Sequence, residues 1–432
     1  MSHRIVVIGG GAGGLELVTR LGRTLGKSGH ADVTLVDSKM THLWKPLLHE
    51  VAAGSLDASR NELNYLAQAK WNHFTFQLGT LCGIDRASRL IRLASARDDQ
   101  GKELVPERTV PYDTLVLAVG STTNDFNTPG VAEHCIFLDT PKQAERFHHQ
   151  LLQHYLAAHA RRGSNEGVSI AIVGAGATGV ELAAELRHAA DQLADYGLNS
   201  IAPDHMQITL IDAGPRVLPG LSDKISASAL SELARMGVSV RTSVLINEAT
   251  SDGLMTRSGE FIPASLKVWA AGIRAPKFLS AMDGLETNRI NQLIVRPTLQ
   301  TTLDENIFAI GDCAACPLIE GGDKLVPPRA QAAHQQAELL ARSLALCIRG
   351  LPPMKYQYRD MGSLVSLSRF GTVGQLMGNL LGNINVSGWL ARMFYVSLYR
   401  MHQASLYGPI RAAVLILAGR ISRGASPRLK LH

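Results

Sequence analysis

The stretch Ile5-Val6-Val7-Ile8-Gly9-Gly10-Gly11-Ala12-Gly13-Gly14 decides the fold. Four β-branched residues in a row read as a strand buried on both faces. They run without a break into G-x-G-x-x-G and then a helical pattern from Leu15 to Leu25. The first glycine of such a motif makes the tight turn, the second lets the backbone approach a pyrophosphate, and the third packs helix on strand. Free N–H groups at the helix start then face the phosphates. One G-x-G-x-x-G is also an ordinary structural turn, so the reading needs a second sign.

Repetition supplies it. Ile170-Ala171-Ile172-Val173-Gly174-Ala175-Gly176-Ala177-Thr178-Gly179 repeats the pattern and continues into a helical stretch from Val180 to Leu193. Each unit then leads to a strand ending in a carboxylate suited to ribose hydroxyls, Thr34-Leu35-Val36-Asp37 and Gln207-Ile208-Thr209-Leu210-Ile211-Asp212. Two complete units imply two dinucleotides held near one another. A flavin and a nicotinamide, with hydride passing between them, are the economical pair.

The 432 residues are enough for two or three domains, and 46% apolar with 19% charged is ordinary for a globular α/β chain, which argues against disorder. Five cysteines at irregular spacing make no disulfide framework and fit a reducing compartment. Met1-Ser2-His3-Arg4 runs straight into a strand pattern, so no signal peptide is read. No stretch reaches the roughly 20 apolar residues that span a bilayer. The net charge of +6 is unevenly spread. No acidic residue follows Asp360, while Arg369, Arg392, Arg400, Arg411, Arg420, Arg423, Arg428 and Lys430 do.

Residues 73 to 118 alternate like strands. Leu115-Val116-Leu117-Ala118-Val119-Gly120-Ser121 and Leu266-Lys267-Val268-Trp269-Ala270-Ala271-Gly272 are each a strand pattern closed by a glycine where the chain would pass a dinucleotide. Asn306-Ile307-Phe308-Ala309-Ile310-Gly311-Asp312 returns the chain to the first domain, with a carboxylate for a ribityl hydroxyl. The second domain therefore reads as inserted in the first. The expected division is 1–140 and 291–350 for FAD, 141–290 for NADH, and 351–432 for a C-terminal membrane-anchoring region.

These features resemble the two-dinucleotide-binding-domain flavoproteins, an α/β fold with two Rossmann-like domains. Pro46-Leu47-Leu48, Gly179-Val180-Glu181-Leu182 and Ala330-Gln331-Ala332-Ala333-His334-Gln335 narrow the resemblance to the type II NADH:quinone oxidoreductases. It covers essentially the whole chain and is closest to the enterobacterial respiratory branch. The resemblance implies a peripheral enzyme of the inner membrane, on its cytoplasmic side, passing two electrons from NADH through FAD to a membrane quinone without pumping protons.

The cofactor assignments follow residue by residue. Gly9, Gly10, Gly11, Ala12, Gly13, Gly14 and Asp37 would hold the adenosine diphosphate part of FAD, and Asp312 the ribityl chain. Lys45, Pro46, Cys82, Gly120, Ala330 and Gln331 complete the expected flavin set. Gly174, Gly176, Gly179, Asp212 and Gly272 would hold NADH, and a carboxylate at 212 repels a 2′-phosphate, although Arg216 lies nearby. Glu181, just inside the second helix, is either a first-turn stabiliser or, as the resemblance implies, a group beside nicotinamide and flavin acting in hydride or proton transfer. Gln331 and Gln335 share one helix face, which is either solvated or, by resemblance, the quinone pocket. Cys313-Ala314-Ala315-Cys316 reads as an incidental pair: zinc would need two further ligands, copper stays conceivable, and no metal is assigned.

Trp389, Leu390, Met393, Phe394 and Val396 fall at helical spacing, and Ile410 to Ala418 is apolar apart from Arg411. The pair reads as a core or homodimer contact, or as interfacial helices with cations on anionic lipid headgroups. Its apolar run Ala412 to Gly419 is a poor surface for nucleic acid. One rival reading is a soluble reductase. A disulfide acceptor would need a cysteine shortly after the first ribose strand, and residues 38 to 81 have none; a ferredoxin acceptor leaves the basic tail without a use. Another rival is a flavin-carrying interaction protein.

Overall fold

A computed structural model describes residues 2–98, 100–160, 167–195, 206–319, 321–367, 372–378, 382–387 and 400–425. The chain forms two compact units: Met1–Trp44 with Glu62–Thr122 and Ile273–Asp360, and Lys45–Asn61 with Thr123–Gly272 and Met361–His432.

The first unit is built on a five-stranded parallel sheet. His3–Ile8 lies between Ala31–Asp37 and Thr114–Leu117, with Thr75–Leu78 and Ile307–Ala309 at the edges. Ile5, Val7, Leu35, Leu115 and Val116 are fully buried, as a parallel sheet covered on both faces requires. The first helix, Ala12–Leu21, packs against Ala330–Cys347. It ends earlier than its apolar period suggests. Gly22–Gly26 forms a π-helical turn, and a Cβ on Gly22 would lie 2.0 Å from the Asn72 carbonyl oxygen. Two glycines let another backbone come close, and the helix widens there. An antiparallel sheet of Thr80–Asp85, Leu90–Ala94 and Arg108–Pro111 completes the unit.

The second unit repeats the plan. Val168–Val173 pairs in parallel with Met206–Ile211 and Leu266–Trp269, and Val238–Arg241 follows at the edge. Helices Pro141–Ala160, Ala177–Asp195 and Asp223–Arg235 accompany this sheet. The two-domain α/β architecture is thus present in full.

Contacts divide the chain at 122, 272 and 360, where the sequence suggests 140, 290 and 350, and they also group Lys45–Asn61, expected within the first domain, with the second unit. The chain changes unit just past its strand-closing glycines; beyond the first, Asp139 takes the Thr123 N–H at 2.9 Å and ties the two residues together. Residues 361–387 carry strands the sequence reading did not name, Gly362–Ser366, Thr372–Gly378 and Gly382–Ser387, paired antiparallel. Trp389 to Val396 lie outside the described residues. Pro409–Ala425 is helical, and no described helix is long and apolar enough to cross a membrane.

Candidate functional site

The two glycine turns share one geometry. A Cβ on Gly14 would lie 1.9 Å from the Gly9 carbonyl oxygen, and one on Gly179 1.9 Å from that of Gly174, so only glycine closes helix onto strand. At the middle glycines, Gly11 and Gly176, an added Cβ would meet nothing within 4 Å. That is open space at a helix start, where a pyrophosphate fits. The carboxylates at the next strand ends are bound alike. Asp37 accepts the Gly10 N–H at 2.6 Å and the Lys39 N–H at 2.8 Å. Asp212 accepts the Ala175 N–H at 2.6 Å and the Gly214 N–H at 2.7 Å. Each carboxylate keeps acceptor capacity for ribose hydroxyls. Burial pushes the Asp37 carboxyl up from its ordinary value, against the lowering effect of those N–H bonds. Arg216 is drawn to Asp223 and to the Pro219 carbonyl.

Other residues of the first unit converge on its turn. A Cβ on Gly13 would lie 3.3 Å from Ala333, and one on Gly311 3.6 Å from the same side chain. Glycine turn, Gly311-Asp312 and the helix beginning at Ala330 therefore meet. Asp312 accepts the Ser121 hydroxyl at 2.7 Å, next to Gly120. Buried Gln336 accepts the Gly311 N–H at 2.7 Å, and the Tyr65 hydroxyl donates to the Gly10 carbonyl at 2.8 Å. Tyr65 and Gln336 went unnamed in the sequence reading because their roles depend on folding partners far away in the chain. The residues present fit two dinucleotides, one in each unit.

Residues 3–337 match the pyridine nucleotide-disulphide oxidoreductase family. A type II NADH:quinone oxidoreductase of Haemophilus influenzae is 48% identical over an alignment covering 99% of this chain and 99% of its own. This chain belongs to the type II NADH:quinone oxidoreductase family. The Mycobacterium tuberculosis member Ndh is 28% identical across 94% of this chain and 85% of its own. NDH2 from Plasmodium falciparum, solved in complex with NADH, shares the fold at a TM-score of 0.83, with 100% of both chains covered and 18% identity.

In this family member Glu181 lies inside the second unit and is buried. Its Oε1 accepts the Ser366 N–H at 3.0 Å, and its Oε2 stands 3.7 Å from Nδ1 of buried His49. Burial, reinforced by the charges of Glu50 and Glu185, pushes the carboxyl up to about 8 against the Ser366 bond. Burial also lowers the His49 imidazole, opposed by Glu185 and by the Pro46 carbonyl. Both shifts favour the neutral forms, the carboxylic acid of Glu181 and the uncharged imidazole of His49.

The remaining expected residues are more scattered. Lys45 pairs with Asp139 at 3.1 Å, and both Lys45 and Pro46 group with the second unit. Cys82 is exposed on the strand Thr80–Asp85, its thiol on the Arg92 carbonyl at 3.3 Å. Cys313 and Cys316 are buried free thiols, pushed up by burial to about 11 and about 12. Such thiols are inert. No three His, Cys, Asp or Glu side chains among the described residues gather as a metal site.

Helix Ala330–Cys347 starts directly after Arg329, and its first two turns carry Gln331 and Gln335. Both amides are engaged by the segment Tyr356 to Asp360. Gln331 Nε2 donates to the Tyr358 oxygen at 2.9 Å and to Asp360 Oδ1 at 3.2 Å. Gln335 Nε2 donates to the Arg359 carbonyl at 2.7 Å, while its Oε1 accepts the Arg359 N–H at 3.1 Å.

Proposed function

We propose that this enzyme oxidises NADH and reduces a membrane quinone through FAD, without moving protons across the membrane. The observation that carries the reading is the doubled strand, glycine turn and carboxylate in a chain of this family. FAD supplies the two-electron chemistry, accepting hydride and releasing electrons to quinone. Residues 1–140 and 291–350 serve FAD through Gly9 to Gly14, Asp37, Gly120, Asp312 and Ala330, with Lys45, Pro46 and Cys82 assigned to the same cofactor. Residues 141–290 serve NADH through Gly174, Gly176, Gly179, Asp212 and Gly272. The engagement of Arg216 with Asp223 supports NADH over NADPH, since it leaves the Asp212 carboxylate to oppose a 2′-phosphate.

Glu181 is assigned to the nicotinamide end as a neutral acid that holds its proton at working pH. Gln331 and Gln335 are assigned to the quinone end, where the positive end of their helix favours charge building on an oxygen. Residues 351–432 bind the anionic cytoplasmic surface of the inner membrane, as in the enterobacterial branch, and the same apolar face is available to a homodimer. Exposed Ile410, Val414 and Leu417 support that assignment.

The test is NADH oxidation by the purified full-length enzyme with a short-chain ubiquinone. Quinone-dependent turnover is the expected result. Flavin bleaching by NADH without acceleration by any quinone would overturn the quinone assignment and return the enzyme to the soluble reductases.

A further inference from the structure

Gln335 reads a peptide unit as a neighbouring strand would. Its amide grips both the N–H and the C=O of Arg359, at 3.1 and 2.7 Å, and its oxygen also accepts the Tyr356 hydroxyl at 3.3 Å. Buried Tyr356 anchors the same segment by donating its backbone N–H to the Pro297 carbonyl at 2.7 Å. With its oxygen taken twice and its nitrogen committed, Gln335 has little left for a ligand.

What the clamp presents is Tyr358. The phenol oxygen accepts from Gln331 at 2.9 Å, and the Arg329 guanidinium, whose charge acts on the phenol, is held by Asp360 at 3.2 Å. Among the described residues nothing accepts the phenol's own hydrogen. An N–H donor on a hydroxyl oxygen, with a cation acting on the same ring, polarises its O–H and strengthens it as a donor. Burial and Asp360 raise the phenol above its ordinary value, so it keeps that hydrogen through the physiological range. All these residues lie in the first unit, at the start of the helix that bears Gln331.

We propose that the Tyr358 hydroxyl donates a hydrogen bond to a quinone oxygen as that oxygen gains charge, and that Gln335 is the positioning residue that sets Tyr358 there by clamping the Arg359 peptide. This rests on the reading that the start of helix Ala330–Cys347 serves the quinone. It divides the two glutamines: Gln331 orients the donor, while Gln335 holds the strap and makes no contact with substrate.

The experiment is anaerobic reduction of the holoenzyme by NADH, then reoxidation by a short-chain ubiquinone followed through the flavin absorbance. Loss of a donor to a developing oxyanion costs on the order of 100-fold, so Tyr358→Phe should slow reoxidation by about that factor. Gln335→Ala should slow it similarly and make the Arg359 amide exchange rapidly with deuterium. The double variant should be no slower than Tyr358→Phe alone, because the two act as one unit. Reoxidation of Tyr358→Phe at the native rate would overturn the proposal. So would losses that multiply in the double variant with Arg359 still protected, because Gln335 would then contact quinone independently. Should Gln335→Ala fail to fold, the isosteric Tyr358→Phe decides alone. A native enzyme reoxidised by ferricyanide but by no quinone would instead remove the underlying reading.

Discussion

Glu181 combines a helix start, full enclosure and two neighbouring carboxylates, and the combination has a consequence in stability as well as chemistry. The unfolded chain releases this proton near the ordinary glutamate value, whereas the folded chain keeps it until about pH 8. A group with a raised folded pKa contributes fully below its unfolded pKa and loses that contribution as pH rises through the folded one. The native enzyme should therefore lose thermal stability between about pH 4.5 and pH 8 relative to a Glu181→Gln variant, whose amide still accepts the Ser366 N–H but does not ionise. Thermal midpoints at pH 5 and pH 9 check this. A gap between variant and native enzyme that widens toward pH 9 is expected; a constant gap would mean that Glu181 is not the titrating group. The same substitution should remove the midpoint near pH 8 from the NADH-dependence of turnover.

At the scale of elements, helices Ala12–Leu21 and Ala330–Cys347 are pinned by one polar contact, His334 Nδ1 to Glu16 Oε2 at 2.6 Å. Glu16 is 1% exposed and also holds Arg20 at 2.8 Å. Burial raises its carboxyl, but the His334 and Arg20 partners outweigh it and the net shift is downward; the Glu16 bond raises His334 in turn. Glu16 thus contributes above its unfolded pKa and loses that as pH falls through its folded one. His334 contributes below its unfolded pKa and loses that as pH rises through its raised one. Together they are strongest between the two unfolded values, roughly pH 4.5 to 6.5. His334→Gln should cost about 1–3 kcal/mol at pH 6 and less at pH 9, measured by urea denaturation. A cost independent of pH would mean the pair is held as a neutral hydrogen bond. These helices also show what the sequence could and could not reveal. Their apolar periods and glycine starts were legible, because a buried strand and a tight turn leave local signatures. The π turn at Gly22 was not, since its cause is the Asn72 carbonyl, fifty residues on. Gln331 and Gln335 were legible as one helix face. Their partners Tyr358 and Arg359 were not, because nothing local in 356–360 announces a strap that another element's amide will grip.

At the scale of the whole molecule, the lipid contact proposed for the tail falls on the helix Pro409–Ala425. Ile410, Val414 and Leu417 are 80%, 63% and 62% exposed, and their spacing of four and three places them on one face of Pro409–Ala425. Two forces could hold this face to lipid. Burying each aliphatic side chain is worth about 1.5–3 kcal/mol, whereas each basic residue near an anionic surface adds about 1 kcal/mol and is screened by salt. Pro409–Ala425 carries three such aliphatics against three cations, Arg411, Arg420 and Arg423, so on this helix the apolar contribution should dominate. Replacing Ile410, Val414 and Leu417 together by Gln should lower partition onto phosphatidylserine-containing vesicles more than raising salt to about 0.5 M does in the native enzyme, where the Debye length is only a few ångströms. Co-sedimentation with the vesicles measures both effects, and turnover with a short-chain quinone, which needs no membrane, checks that the variant has folded. If salt alone released the native enzyme while the triple variant stayed bound, the basic residues would be the anchor and the apolar face would be left for contact between copies of the chain. The larger apolar contribution argues for the opposite order, with the cations orienting a helix that its aliphatic face holds in place.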